Sequence, residues 1–218
     1  LLRDAFSFGK AERARYDGFD RIGDCSYRVR REDGSMVKKR VATTGTRGHR
    51  SRLEQIRIVA TDVDGVLTDA GMYYSESGDE WKKFNTRDGM GIKLLQKAGF
   101  VTAIVTQERT KLVARRADKL GIAELHQGVM DKLSVLREMA ARHGVSLEQV
   151  AYIGDDVNDL EALQAAGFSA SPADGMPVIH AAVDYICEKK GGEGCVRELA
   201  ELLLGARTTP ASARRSTR

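Results

Sequence analysis

The chain has 218 residues, of which 42% are hydrophobic and 30% charged, a balance that fits a folded domain with appendages. No apolar run approaches the ~18 residues that span a bilayer, and Leu1-Leu2-Arg3-Asp4 lacks the character of a signal peptide, so a membrane role is not expected. The net charge of +4 is unevenly spread: residues 1–50 carry 13 Lys/Arg against 7 Asp/Glu, residues 206–218 carry four Arg and no acid, and the acidic middle carries 18 basic against 24 acidic residues.

Residues 1–50 read as a basic extension with few apolar groups to oppose the entropy of ordering. Runs at 27–30 and 36–41 flank Asp33-Gly34 and suggest a small hairpin; residues 42–52 read as a linker. Phosphate binding by the basic extension would need more than charge, and no nucleic-acid-binding motif accompanies it. Cys25, Cys187 and Cys195 form no CxxC pair. That argues for reduced thiols in the cytoplasm and against a disulfide framework or a zinc site.

From Gln55 the pattern changes. Ile56–Thr61 is an apolar run ending in Asp-Val-Asp-Gly, as a buried strand entering a loop would be. A helix is expected over about 88–98, a strand over 101–106, a helix over 109–120 and a short strand near 123–126. A helix over 130–143, a strand over 150–154 and a helix over 156–166 follow. Short strands near 168–170 and 184–187 precede a last helix over 193–204 and a basic tail, 206–218. Strands alternating with helices imply a doubly wound, Rossmann-like α/β domain over 51–205, its parallel sheet covered on both faces. Ligands of such sheets bind at the carboxyl ends of the strands.

Chemistry-bearing residues gather on that edge. Asp62 and Asp64 follow the first strand, Thr106 ends the second, Lys132 opens the helix after the third, and Asp155, Asp156 and Asp159 follow the fourth. Phosphoryl transfer needs this set, because its catalysis is mainly positioning and charge stabilisation. A carboxylate nucleophile divides hydrolysis into two steps through an aspartyl-phosphate. Clustered carboxylates repel one another, and Mg²⁺, bound by hard oxygens and water, relieves that repulsion. Lys132 supplies fixed positive charge, Thr106 a hydroxyl, and Gly65 a sharp turn after the acidic pair.

The stretches DVDGVLTD (62–69), IVT (104–106), DKL (131–133) and GDDVND (154–159) resemble the haloacid dehalogenase superfamily. The resemblance implies Asp62 as nucleophile and Asp64 as general acid/base. It implies Mg²⁺ held by the Asp62 carboxylate, the Asp64 main-chain carbonyl and Asp155, with Asp156 and Asp159 orienting Lys132 and metal-bound water. Residues 71–99, 126–133, 151–160 and 189–199 further resemble the phosphatases of 3-deoxy-D-manno-octulosonate 8-phosphate (KDO 8-phosphate). The resemblance covers about 51–205 and implies a terminal phosphate monoester of a 2-keto-3-deoxy sugar acid as substrate.

Lys132 lies only 26 positions after Thr106, and a helix and a strand occupy the interval. Between Asp64 and Thr106 there is room for a hairpin flap (about 70–85) and a helix, not for a cap domain. In the resembled group a homotetramer closes the site, with the hairpin and C-terminal segment reaching a neighbour. Gln107-Glu108 departs from the Gly-Arg common there. Glu108 with Lys119 resembles the branch acting on 2-keto-3-deoxynononate (KDN) 9-phosphate, and the substrate reading leans that way. Eleven residues put this pair on one helix face with a rise of about 16 Å, so a second subunit would bring them to one ligand. Arg87 is a further substrate-binding candidate. Lys189-Lys190 and the following glycines suggest a sugar-acid clamp or a plain loop. A rival reading is a non-catalytic oligomerisation domain, as found at the end of some acylneuraminate cytidylyltransferases.

Overall fold

The computed structural model describes residues 14–19, 25–30, 36–40 and 46–208, in two compact units, 1–51 and 52–218. In the first, β1 (Ala14–Phe19), β2 (Cys25–Arg30) and β3 (Met36–Arg40) form an antiparallel sheet in that order. The two expected runs pair antiparallel as β2 and β3, with Arg30 opposite Met36, while Asp33-Gly34 lies outside the described residues; β1 is an addition to the expected pair. The expectation of disorder elsewhere in 1–50 and beyond 208 lies outside the described residues.

The expected linker 42–52 is corrected from residue 46 on, because helix α1 runs from Thr46 to Gln55. Its last turn is anchored by tertiary contacts that local composition did not reveal. Leu53 is buried, and Arg52 makes a two-pronged ion pair with Asp184 at 2.9 Å for each prong while donating to Gly167 O. A planar guanidinium matches a carboxylate in this geometry.

The second unit is built on β4 (Ile58–Thr61), β7 (Val101–Thr106), β8 (Glu124–Gln127), β9 (Val150–Ile153), β10 (Phe168–Ser171) and β11 (Tyr185–Ile186). Their order is β11-β10-β9-β4-β7-β8, and every pairing is parallel. The chain runs outward from β4 through β7 to β8, then returns to the other side of β4 for β9, β10 and β11. That reversal makes the carboxyl end of β4 a topological switch point, where such sheets open a binding crevice.

Residues of the central strands alternate between two cores. Val59, Ile104, Ala151 and Ile153 face one, with α2 (Thr86–Lys97), α3 (Lys111–Leu120) and α7 (Cys195–Thr208). Ile58, Ala60, Ala103, Val105 and Tyr152 face the other, with α4 (Lys132–Arg142) and α5 (Leu160–Ala165). The period-two alternation of strands, buried on both faces, explains why the strand sequences read as continuous apolar runs. The doubly wound α/β expectation is borne out.

The helices start where their caps allow. Asn85 accepts from Arg87 N, Thr110 from Leu112 N and Asp131 from Ser134 N, each a side chain satisfying an orphan N–H of a first turn. Two expectations shift, and one element is added. The helix expected over 156–166 splits into a 3₁₀ turn (Val157–Asp159) and α5, because the Asp159 carboxylate accepts the backbone N–H groups of Asp155 and Asp156. A short helix, α6 (Pro177–His180), opens on proline. The last helix reaches Thr208, past the expected end at 204, because Arg207 donates to Ala98 O and Ile56 O and stacks 3.6 Å from the Phe100 ring centroid. The flap pairs only β5 (Tyr73–Tyr74) with β6 (Glu80–Trp81), and a Thr68–Phe84 bridge closes its base. No helix among the described residues is long and apolar enough to cross a membrane.

Candidate active site

Asp62 leaves the end of β4 with its backbone N–H on Ile153 O of β9, 3.0 Å away. The chain then coils tightly: Val63 O accepts from Val66 N, Thr68 N and the Thr68 hydroxyl, while Val63, Val66 and Leu67 sink into the core. Gly65 makes this possible in two ways. Its φ is +83°, in the region that disfavours a side chain, and a Cβ there would sit 2.0 Å from Asp155 Oδ2. Asp155 therefore packs directly on the loop after β4. A pair of glycines, Gly191 and Gly192, packs against the loop from outside. Gly192 N donates to Val66 O, and a Cβ on Gly191 would lie 2.0 Å from Gly65 O. Of the two readings of this segment, the glycines thus serve close backbone approach, while Lys189 and Lys190 are exposed.

Lys132, the first residue of α4, is buried beneath this loop. Its ammonium lies 3.0 Å from Asp62 Oδ2 and 2.7 Å from Asp159 Oδ1. Asp159 is fully buried and also accepts from the Tyr152 hydroxyl at 2.5 Å. Asp62, Asp155 and Asp159 each bring a carboxylate oxygen within 4.8 Å of the others. Three acids against one buried ammonium leave an excess of negative charge. Burial, then the Asp159 charge, pushes Asp62 up to about 7 against the pull of Lys132. Burial, then Asp62 and Asp159, pushes Asp155 up to about 8. Lys132 is raised: burial opposes its charge, but the two aspartates outweigh it.

Asp62 Oδ1 is buried without a hydrogen-bond partner. Such an orphan acceptor is costly, and a cation is the partner that would also offset the excess charge. Asp159 is already engaged by Lys132, Tyr152 and two backbone N–H groups. Asp62 and Asp155 are the carboxylates that fit a divalent metal here.

Asp64 stands at the mouth with 29% of its side chain exposed; its Oδ1 accepts from Lys82 at 2.5 Å and from the Thr68 hydroxyl at 3.3 Å. Thr106 ends β7, buried, two residues beyond Ile104, which pairs with Thr61 of β4. Asp156 is exposed and caps the 3₁₀ turn through Val157 N; Lys132 is oriented by Asp62 and Asp159 rather than by Asp156.

The substrate-binding candidates are dispersed. Glu108 lies at the mouth, 2.6 Å from Lys82. It precedes α3, which starts at Lys111, while Lys119 is exposed in the last turn. The expected shared helix face is therefore corrected: Thr110 caps the helix and leaves Glu108 in the loop. Arg87 is exposed in the first turn of α2, and its neighbour Asp88 is fully buried, accepting from Gly194 N and Arg197 N at the start of α7. Sequence reasoning missed Lys82 and Tyr152. Tyr152 carried a usable signal, a polar tip in a buried strand three residues before Asp155.

A family model described as haloacid dehalogenase-like hydrolase matches residues 102–199. The KDO 8-phosphate phosphatase of Yersinia pestis is 42% identical over 153 residues, covering 70% of this chain and 82% of its own length. That of Escherichia coli K12 is 39% identical over 154 residues, covering 71% and 82%. The crystal structure of the Moraxella catarrhalis KDO 8-phosphate phosphatase, in complex with magnesium, phosphate and KDO, matches with a TM-score of 0.73 and 40% identity over 75% of this chain and 94% of that one. The cobalt-bound Haemophilus influenzae enzyme matches with a TM-score of 0.70 and 38% identity, over 76% and 96%. The chain therefore belongs to the haloacid dehalogenase-like hydrolases and, within them, to the KDO 8-phosphate phosphatase family of phosphoric monoester hydrolases.

Proposed function

We propose that this chain is a Mg²⁺-dependent phosphatase of a 2-keto-3-deoxy sugar acid, with KDO 8-phosphate its first substrate. One observation carries the reading: a buried Asp62 carboxylate with one oxygen on Lys132 and the other unpartnered, at the edge that also holds Asp64 and Asp155. Asp62, Asp155 and the Asp64 main-chain carbonyl would hold the metal. Bound there, Mg²⁺ neutralises the clustered carboxylates and the phosphoryl oxygens.

The chain's own residues do the rest. An Asp62 oxygen attacks phosphorus, the bond to the sugar oxygen breaks, and Asp64 gives that oxygen its proton. Asp64, now a carboxylate, takes a proton from water as the water oxygen attacks the same phosphorus. The bond to Asp62 breaks, and inorganic phosphate leaves. Lys132 and the Thr106 hydroxyl steady the phosphoryl oxygens, and Asp159 holds Lys132, with Asp156 supporting the loop. The complete set Asp62, Asp64, Lys132 and Asp155 argues against a purely oligomerising domain.

Glu108 at the mouth keeps a second reading, KDN 9-phosphate, open to test; Arg87 and Lys119, both exposed, would act on a ligand shared with a neighbouring subunit. A homotetramer is supported by the hairpin, where Met72, Tyr73, Tyr74 and Trp81 are 42–66% exposed. Phosphate release from KDO 8-phosphate, KDN 9-phosphate and N-acetylneuraminate 9-phosphate, with Mg²⁺ or EDTA, tests the reading. The expected result is fastest release from KDO 8-phosphate and loss in EDTA. Undiminished turnover in EDTA sinks the mechanism, and preference for a nine-carbon ester moves the substrate.

A further inference from the structure

We infer that Lys82 is a positioning residue for the acid–base step, holding the Asp64 carboxyl group toward the leaving oxygen and tying the hairpin to it through Glu108. The inference rests on the phosphatase reading above. Lys82 follows β6 directly, and its side chain is only 1% exposed. Strand alternation explains the direction. Trp81 before it is 52% exposed, and the side chain of Lys83 after it is 58% exposed and reaches Asp69 at 3.2 Å. Lys82 between them turns inward, and the Thr68–Phe84 bridge fixes that register.

An ammonium withdrawn from water must be paired. Lys82 has two partners, Asp64 Oδ1 at 2.5 Å and Glu108 Oε2 at 2.6 Å. One comes from the nucleophile loop and one from the loop after β7, so a single side chain joins three segments of the site. The Thr68 hydroxyl shares Asp64 Oδ1. Both contacts use the same oxygen, which fixes the rotation of the carboxyl group and leaves Oδ2 for the proton transfer. Lys132 and Lys82 thereby divide the labour: the first faces the nucleophile, the second the acid/base.

The leaving group provides the test. A sugar alkoxide needs the Asp64 proton to depart, whereas p-nitrophenolate departs without it. Full-length Lys82→Met, with Mg²⁺, is expected to lose activity on both esters, and to lose at least about tenfold more kcat/KM on KDO 8-phosphate than on p-nitrophenyl phosphate, as general acid help is worth about 10²–10⁴-fold. Lys82→Arg should recover part of that difference. In an Asp64→Asn background, Lys82→Met should add almost nothing on the sugar ester, since two residues acting as one unit are not additive. Equal losses on both esters, or full additivity with Asp64→Asn, overturn the role. If Lys82→Met does not fold, Lys82→Gln is put through the same comparison and judged the same way. Failure of the wild-type enzyme to release phosphate from any sugar ester would instead remove the phosphatase reading, so the two failures are distinguishable.

Discussion

The inner and outer halves of the site are built by different means. The inner half, Asp62, Lys132, Asp159 and Tyr152, is buried at the carboxyl edge of the sheet, where every polar side-chain atom except Asp62 Oδ1 is held by another or by the backbone. The outer half is a hairpin of two-residue strands with aromatic side chains in solvent and one inward lysine. The sheet thus fixes the geometry of the inner half, whereas the hairpin holds the outer half through one buried lysine. Mutations should therefore fall steeply in effect from the inner half outward.

The steepest loss is expected at Asp62, the proposed nucleophile. Asp62→Asn should lower kcat by roughly 10⁴-fold, the scale on which loss of one essential member disables a catalytic unit, measured as phosphate release with Mg²⁺; retained activity would move the nucleophile elsewhere. The same carboxylates make metal binding visible without turnover. Asp62 and Asp155 sit at about 7 and about 8 when folded, above the ordinary 3.8. Between pH 4 and 8 the metal-free folded state thus binds more protons than the unfolded one, and its stability from these groups falls as pH rises. A cation replaces those protons. The rise in Tm on adding Mg²⁺ should be larger at pH 8 than at pH 5, and an equal or reversed difference would mean that these acids do not bind it.

Much of the inner half was legible before the structure. Asp62, Asp64, Thr106 and Asp155 each follow or end a strand that reads as an apolar run, and Lys132 opens the helix after the short, polar strand Glu124–Gln127, so strand–helix alternation brings them to one edge. What was not legible depends on contacts distant in sequence. Lys82 is one lysine of an exposed-looking Lys-Lys pair, and only the Thr68–Phe84 bridge decides which points inward. Arg52, in the last turn of the helix at 46–55, is anchored by Asp184, 132 positions away. Glu108 and Lys119 matched a helical spacing, but a cap at Thr110 excluded the first from the helix.

Behind the inner half, two substitutions separate support from chemistry. Gly191→Ala places a methyl 2.0 Å from Gly65 O, against backbone that cannot turn aside. Such overpacking costs about 1–3 kcal/mol, and because the displaced loop carries Asp62 and Asp64, kcat should fall with Tm. A normal kcat at lowered Tm would show that the loop tolerates displacement. Tyr152→Phe removes the hydroxyl from Asp159, leaving Lys132 in place. Loss of such an orienting group should lower kcat by about tenfold with KM little changed, and a change in KM alone would count against this role.

The smallest effect should lie on the hairpin's outer face. Trp81 is 52% exposed and neighbours Tyr73 across the strand pair, so Trp81→Ala removes little that the single chain buries, and its intrinsic stability should change by no more than about 0.5 kcal/mol. A large exposed aromatic nevertheless suits the centre of an interface, where truncation costs about 2 kcal/mol or more. If the hairpin covers a second copy, Trp81→Ala should shift sedimentation toward smaller species and raise KM a few-fold while leaving the Mg²⁺-induced rise in Tm intact. That pattern would separate closure from chemistry along the line drawn between the two halves. Unchanged sedimentation and KM would mean that the hairpin acts on its own chain's site alone, through the Lys82 contacts with Asp64 and Glu108.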